Sequence, residues 1–185
     1  MQEGKLLRHL VSADGIKIDL ERVKAILKIS FRRSKKDVQS FIGKINFVRW
    51  FIPNFAETIK QITTMLKKYQ EVKWTAEAKN SFEKIKKALT EAPVLVSPDF
   101  SEYFLTFSFA SHDTIAAVLL RKNDDGLEQP IAFFSKTLKD SELKYSTLEN
   151  QAYSLVKALK FFIIYVLHSK VIGYVPNDAI KDILI

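Results

Sequence analysis

Few residues of this chain are of the kinds that carry out covalent chemistry, and their spacing suits it poorly. Cysteine is absent, which excludes disulfides and thiolate metal sites. His9 and His168 are isolated, and read as surface or helix-end residues rather than ligands. Ser111-His112-Asp113 has the residue types of a hydrolytic triad, but three consecutive residues cannot reach a nucleophile–base–orienter geometry, so the run reads as a loop. The stronger chemical signal is basic. Arg32, Arg33, Lys35, Lys36, Lys44 and Arg49 gather over residues 32–49, a pattern suited to phosphate contacts that carry little sequence information. Next to Arg49, Trp50 and Phe51 are able to stack on bases, yet their place in an apolar stripe favours core.

The charge is uneven. The formal +8 divides into +11 over residues 1–90 (20 Lys plus Arg, 9 Asp plus Glu) and −3 over residues 91–185 (9 against 12). Nucleic-acid contact is therefore expected from the first half. With 47% hydrophobic residues in 185, the chain can bury one sizeable core or two small ones. Met1 to Ser12 lacks the apolar centre of a signal peptide, and the apolar run Phe161–Leu167 is far shorter than a bilayer span of roughly 20 residues. The expected location is the cytoplasm or nucleus.

These residues need elements to hold them. Residues 5–18 alternate as a β-hairpin around Ala13-Asp14-Gly15. Asp19 caps a short helix through Val23, Ile26 and Leu27. Ser34 caps a second, whose stripe Val38, Phe41, Ile42, Ile45, Val48 runs on to Pro53. A third helix is predicted over 55–68, and a fourth from Thr75 through Phe82, Ile85 and Leu89 to Ala92-Pro93. Strands follow at 103–110, 115–121 and 131–135, the turn between the last two being Asn123-Asp124-Asp125-Gly126. A long helix over 147–168, a strand at 171–175 and the start of another helix complete the pattern. The fold class is α+β, in two parts that meet near residues 92–98.

Several blocks carry a resemblance. Ser12-Ala13-Asp14-Gly15-Ile16-Lys17-Ile18-Asp19, Val38-Gln39-Ser40-Phe41-Ile42-Gly43, Phe51-Ile52-Pro53-Asn54-Phe55, Lys73-Trp74-Thr75, residues 88–95, residues 130–136 and Leu143-Lys144-Tyr145-Ser146-Thr147 stand in this order along the chain. The series resembles the palm-to-thumb segment and RNase H region of gypsy-type LTR retrotransposon polyproteins, with a plant-like flavour. The resemblance implies that residues 1–92 form the end of a palm hairpin and a helical reverse-transcriptase thumb or connection. Residues 99–185 would form a C-terminally truncated RNase H-like mixed sheet with a long helix. No Y-x-D-D polymerase turn occurs, so no template copying is expected.

RNase H chemistry uses two divalent metals held on carboxylates. Relatives carry T-D-A-S where this chain has Ser108-Phe109-Ala110-Ser111, and T-x-E-x-E-L where it has Thr147-Leu148-Glu149-Asn150-Gln151-Ala152. They end the fourth strand in T-D, where this chain has Val175-Pro176. The resemblance thus implies that three metal ligands are lost, at Phe109, Gln151 and Pro176. Glu149 lies about 200° around the helix from Gln151 and does not compensate. Asp113 falls past the strand end, and Asp178 in the following helix. Phe109 reads as apolar bulk at a strand centre, where an Asp would be a costly buried charge.

The expected function is a non-catalytic tether, without metal or other cofactor, that positions template-primer duplex or RNA–DNA hybrid weakly and without sequence preference. Other parts of a retroelement polyprotein are further expected partners. A metal-dependent RNase H and a domesticated protein-interaction module are the alternatives.

Overall fold

The computed structural model describes residues 4–6, 9–31, 34–67 and 71–180. Its first part opens on three antiparallel strands, β1 (Gly4–Leu6), β2 (His9–Ser12) and β3 (Gly15–Ile18), in the order β1-β2-β3. The predicted hairpin is β2–β3. The added strand β1 is wholly exposed and so left no hydrophobic alternation to read. Lys5 of β1 pairs with Asp19, whose side chain also accepts from the Glu21 N–H and caps α1 (Leu20–Leu27).

Ser34 caps α2 (Lys35–Asn46) by accepting from the Asp37 N–H at 3.1 Å, and Thr75 caps α4 (Ala76–Thr90) through the Ala78 N–H at 3.2 Å. Helix α2 stops short of Pro53. A 3-10 turn at Arg49–Phe51 replaces its expected last turn, burying Val48, Phe51 and Ile52 while Trp50 faces outward. Helix α3 (Phe55–Thr64) also ends early. The Thr63 and Thr64 hydroxyls bond back to the carbonyls of Lys60 and Gln61, a local alternative that competes with helix continuation. The four helices close one core around Phe41, Ile45, Phe51, Ile62, Phe82 and Ile85.

The second part is a four-stranded sheet of β4 (Phe104–Ala110), β5 (Thr114–Lys122), β6 (Glu128–Thr137) and β7 (Val171–Tyr174), in the order β6-β5-β4-β7. The first three are antiparallel and β7 runs parallel to β4. Helix α5 (Thr147–Phe161) supplies the crossover, started by a Ser146–Glu149 capping box. The predicted single helix over 147–168 breaks at Phe162. That residue turns fully into the core against Phe134, and only a short α6 (Ile163–Val166) follows. Strand β6 is longer than its hydrophobic run, because Pro130 sits at a register irregularity opposite Leu120.

The connection between the parts is stitched to both. Leu95 exchanges two backbone hydrogen bonds with Ile16 (2.7 and 3.0 Å), and the Val96 N–H donates to the Pro130 carbonyl at 2.9 Å. Gly15 makes the first contact possible. Its φ is +130°, and an added Cβ would lie 2.2 Å from the Leu95 carbonyl oxygen. Among the described residues, no helix is long and apolar enough to cross a membrane.

Candidate nucleic-acid interface

Helix α2 buries Val38, Phe41 and Ile45, which fixes what its other face must show. Lys36, Ser40, Gly43 and Phe47 follow one another at three- and four-residue steps on the exposed side, flanked by Gln39 and Lys44. Gly43 is the anomaly. Mid-helix glycine costs about 1 kcal/mol relative to alanine, and an added Cβ here would meet nothing within 4 Å. No packing among the described residues explains it. Phe47 is 54% exposed, with the Arg22 guanidinium 4.8 Å from its ring centre. The charge pattern drew attention to the lysines but not to Gln39, Gly43 and Phe47. The available signal was a glycine inside a strong helical stripe.

The basic residues named from the sequence do not act as one cluster. Arg32 and Arg33 lie outside the described residues. Lys35 donates to the Lys67 carbonyl at 3.0 Å and so ties α2 to the end of α3. Lys36 and Lys44 are exposed and make no ion pair among the described residues. The Arg49 guanidinium lies 4.7 Å from the centre of the Trp50 ring. The two aromatics beside it divide. Phe51 is core, whereas Trp50 is 38% exposed and stacks on Phe161 of α5 with ring centres 5.4 Å apart. His9 is half-buried on β2 with its ring 5.5 Å from that of Phe51, and burial, helped by nearby Arg22, lowers its pKa. It is a packing residue rather than a purely surface one. His168 is exposed in the turn after α6.

Two of the three positions of the implied metal site lie along the packing of α5 on β4. The Ser154 hydroxyl of α5 donates to the Phe109 carbonyl at 2.9 Å, and Gln151 lies one helical turn before Ser154 on the same side. Phe107 pairs in parallel register with Tyr174, the last residue of β7, and Pro176 follows in a bend beyond the paired residues. The side chains of Phe109, Gln151 and Pro176 offer no carboxylate and a single oxygen, the Gln151 amide, whereas a pair of hard cations such as Mg²⁺ needs several charged oxygen ligands. Among the described residues, no three His, Cys, Asp or Glu side chains gather as metal ligands would. The neighbours are otherwise engaged. Glu149 caps α5, Asp113 pairs with Lys60 of α3, and Asp178 sits in a turn opened by Asn177 rather than in a helix. The residues present do not fit a two-metal centre.

One expectation is corrected here. Phe109 is not core but 55% exposed, beside a groove of about 280 Å³ lined by Phe107, Val118, Phe133 and Pro53. It shares the exposed face of β4 with Phe107, so an acidic residue there would be solvated rather than buried.

A helical subdomain docked on a β6-β5-β4-β7 sheet, with a crossover helix against the central strands, defines an RNase H-like α+β fold. The chain belongs to the RNase H-like domains found in reverse transcriptase, whose family model matches residues 74–172. That match begins at α4, although α4 packs its buried face into the first core. The chain is 36% identical to the retrovirus-related Pol polyprotein of transposon 297 from Drosophila melanogaster over 90% of its own length, but spans only 15% of that polyprotein. It also superposes on a foamy viral protease–reverse transcriptase solved in complex with double-stranded DNA. The TM-score is 0.80 at 28% identity, covering 100% of this chain and 38% of the viral one. A related foamy viral structure, in complex with an RNA/DNA hybrid, gives a TM-score of 0.75 at 30% identity, covering 93% and 23%. The sequence is thus that of a retrotransposon polyprotein fragment.

Proposed function

We propose that this chain is a non-catalytic fragment of a gypsy-type, plant-like retroelement polyprotein that positions template-primer duplex. In this reading residues 1–92 act as a thumb or connection, and the RNase H-like sheet serves as a pseudoenzyme support. The observation that carries it is the outer face of α2. A row of Lys36, Ser40, Gly43 and Phe47, flanked by Gln39 and Lys44, presents a small-residue centre at Ser40 and Gly43 with a lysine at one end and another at its side. Such a face admits a sugar-phosphate backbone closely, and its exposed glycine is explained by a partner rather than by the protein's own packing. The foamy viral relatives, solved with double-stranded DNA and with RNA/DNA hybrid, support the choice of partner.

The test is a salt titration of duplex and hybrid binding by the whole chain, read by fluorescence anisotropy. Binding should be weak, indifferent to sequence and steeply salt-dependent. Lys36→Gln and Lys44→Gln should each reduce the log–log slope by about 0.9 on B-form DNA. Charge changes at Asp124, on the far turn of the sheet, should leave it unaltered. No binding at low salt would reject the tether and favour a protein-interaction module.

A further inference from the structure

Helix α3 begins without a side-chain cap of its own, since Asn54 is left-handed at φ 46° and makes no capping bond. The sheet supplies what is missing. The Ala56 N–H donates to Ser135 Oγ of β6 at 3.0 Å, and Thr114 Oγ1 of β5 donates to Glu57 at 2.9 Å. One turn further on, Lys60 pairs with Asp113. The loop that receives these contacts is itself fixed. Ser111 Oγ lies 2.7 Å from Thr114 Oγ1 and accepts from the Thr114 N–H at 3.1 Å, and the Leu138 N–H donates to the Asp113 carbonyl at 2.8 Å. Trp50 on Phe161, and Phe133 against the helical core, seal the two sides of the joint.

Domains of one chain ordinarily move against each other where few contacts cross and a linker absorbs the change. Here the linker is bonded to β3 at Leu95 and to β6 at Val96. We infer that α3 is a strut which makes the helical subdomain and the sheet one rigid body, with Glu57–Thr114 and Lys60–Asp113 as the latch that sets their angle. The latched loop starts two residues after Phe109, so the strand end implied as a metal site is mechanically committed to the helical subdomain. The inference does not depend on what α2 binds.

The absence of cysteine makes the test direct. Spin labels at Ser40→Cys and Asp124→Cys in the full chain report the distance between the parts by electron–electron resonance. A single narrow distribution is expected, broadening by about twofold in Lys60→Met and in Glu57→Ala, which removes the acceptor of the Thr114 hydroxyl, as the latch opens. The exchange Lys60→Asp with Asp113→Lys should restore the narrow distribution. A broad distribution in the otherwise unaltered chain overturns the rigid body. Unchanged width in the folded latch variants overturns the latch, and a variant that unfolds is replaced by the exchange pair, whose failure to narrow the distribution has the same meaning.

Discussion

The Ser154 hydroxyl donates to the carbonyl of Phe109 across the α5–β4 packing, while the Phe109 side chain stands more than half exposed. Helix and strand are therefore held together by a bond to backbone, which is indifferent to the side chain at that position. The bond is the same whichever side chain stands at position 109.

Phe109→Asp should accordingly be tolerated. The change in stability should stay within about 1 kcal/mol, the span of strand preference at an exposed position, because no charge is buried. Chemical denaturation of the single variant measures it, and a loss of several kcal/mol would show that the side chain is core after all.

Purified protein should leave the RNA strand of an RNA–DNA hybrid intact with Mg²⁺ or Mn²⁺, because Phe109, Gln151 and Pro176 supply no carboxylate to hold two metals. EDTA-sensitive cleavage above that of a mock preparation would make the nuclease reading the better one.

Gly43→Ala should raise stability by up to about 1 kcal/mol, since the helix gains and nothing is met within 4 Å. Gly43→Leu should leave the fold intact yet weaken duplex binding by blocking close approach. If Gly43→Leu bound as well as the parent, the glycine would have no role in recognition.

Gly15→Ala should be destabilising by about 2–3 kcal/mol, as a strained backbone and a blocked approach to Leu95 coincide. The Ile16–Leu95 amides should lose hydrogen-exchange protection before the helices do.

Glu142 accepts from Lys136, Tyr153 and the Lys139 N–H, and the Lys136 hydrogen bond foremost holds its pKa down to about 2 from the usual 4.5. A depressed carboxylate stabilises fully above its unfolded value and loses that contribution as pH falls. Between about 4.5 and 2 the parent should therefore weaken more steeply than Glu142→Gln. Parallel denaturation curves for the two proteins across that range would remove the network from the acid response.

Much of this was legible in the chain. Asp19, Ser34 and Thr75 announced their helices, because a capping side chain sits at a fixed offset from the first buried residue. The strands around Asn123–Gly126 were equally plain. The misses share a cause. Strand β1 is short and wholly exposed, and the break at Phe162 and the exposure of Phe109 are decided by neighbours distant in sequence, neither of which periodicity reports. At the candidate interface, charge marked Lys36 and Lys44 but also Lys35, whose ammonium is occupied by the Lys67 carbonyl. Only the placement of neighbouring elements separates a free lysine from a structural one.

Pro130 bears on how copies of this protein meet one another in concentrated solution. Strand β6 is an outer strand of its sheet, and a bare outer strand is a template for addition of further chains. At Pro130 there is no N–H to offer, and the carbonyl is already taken by Val96. The opposite border, β7, is only four residues long. Both borders of this sheet are thus poor seeds for intermolecular strand stacking and for fibril growth through it.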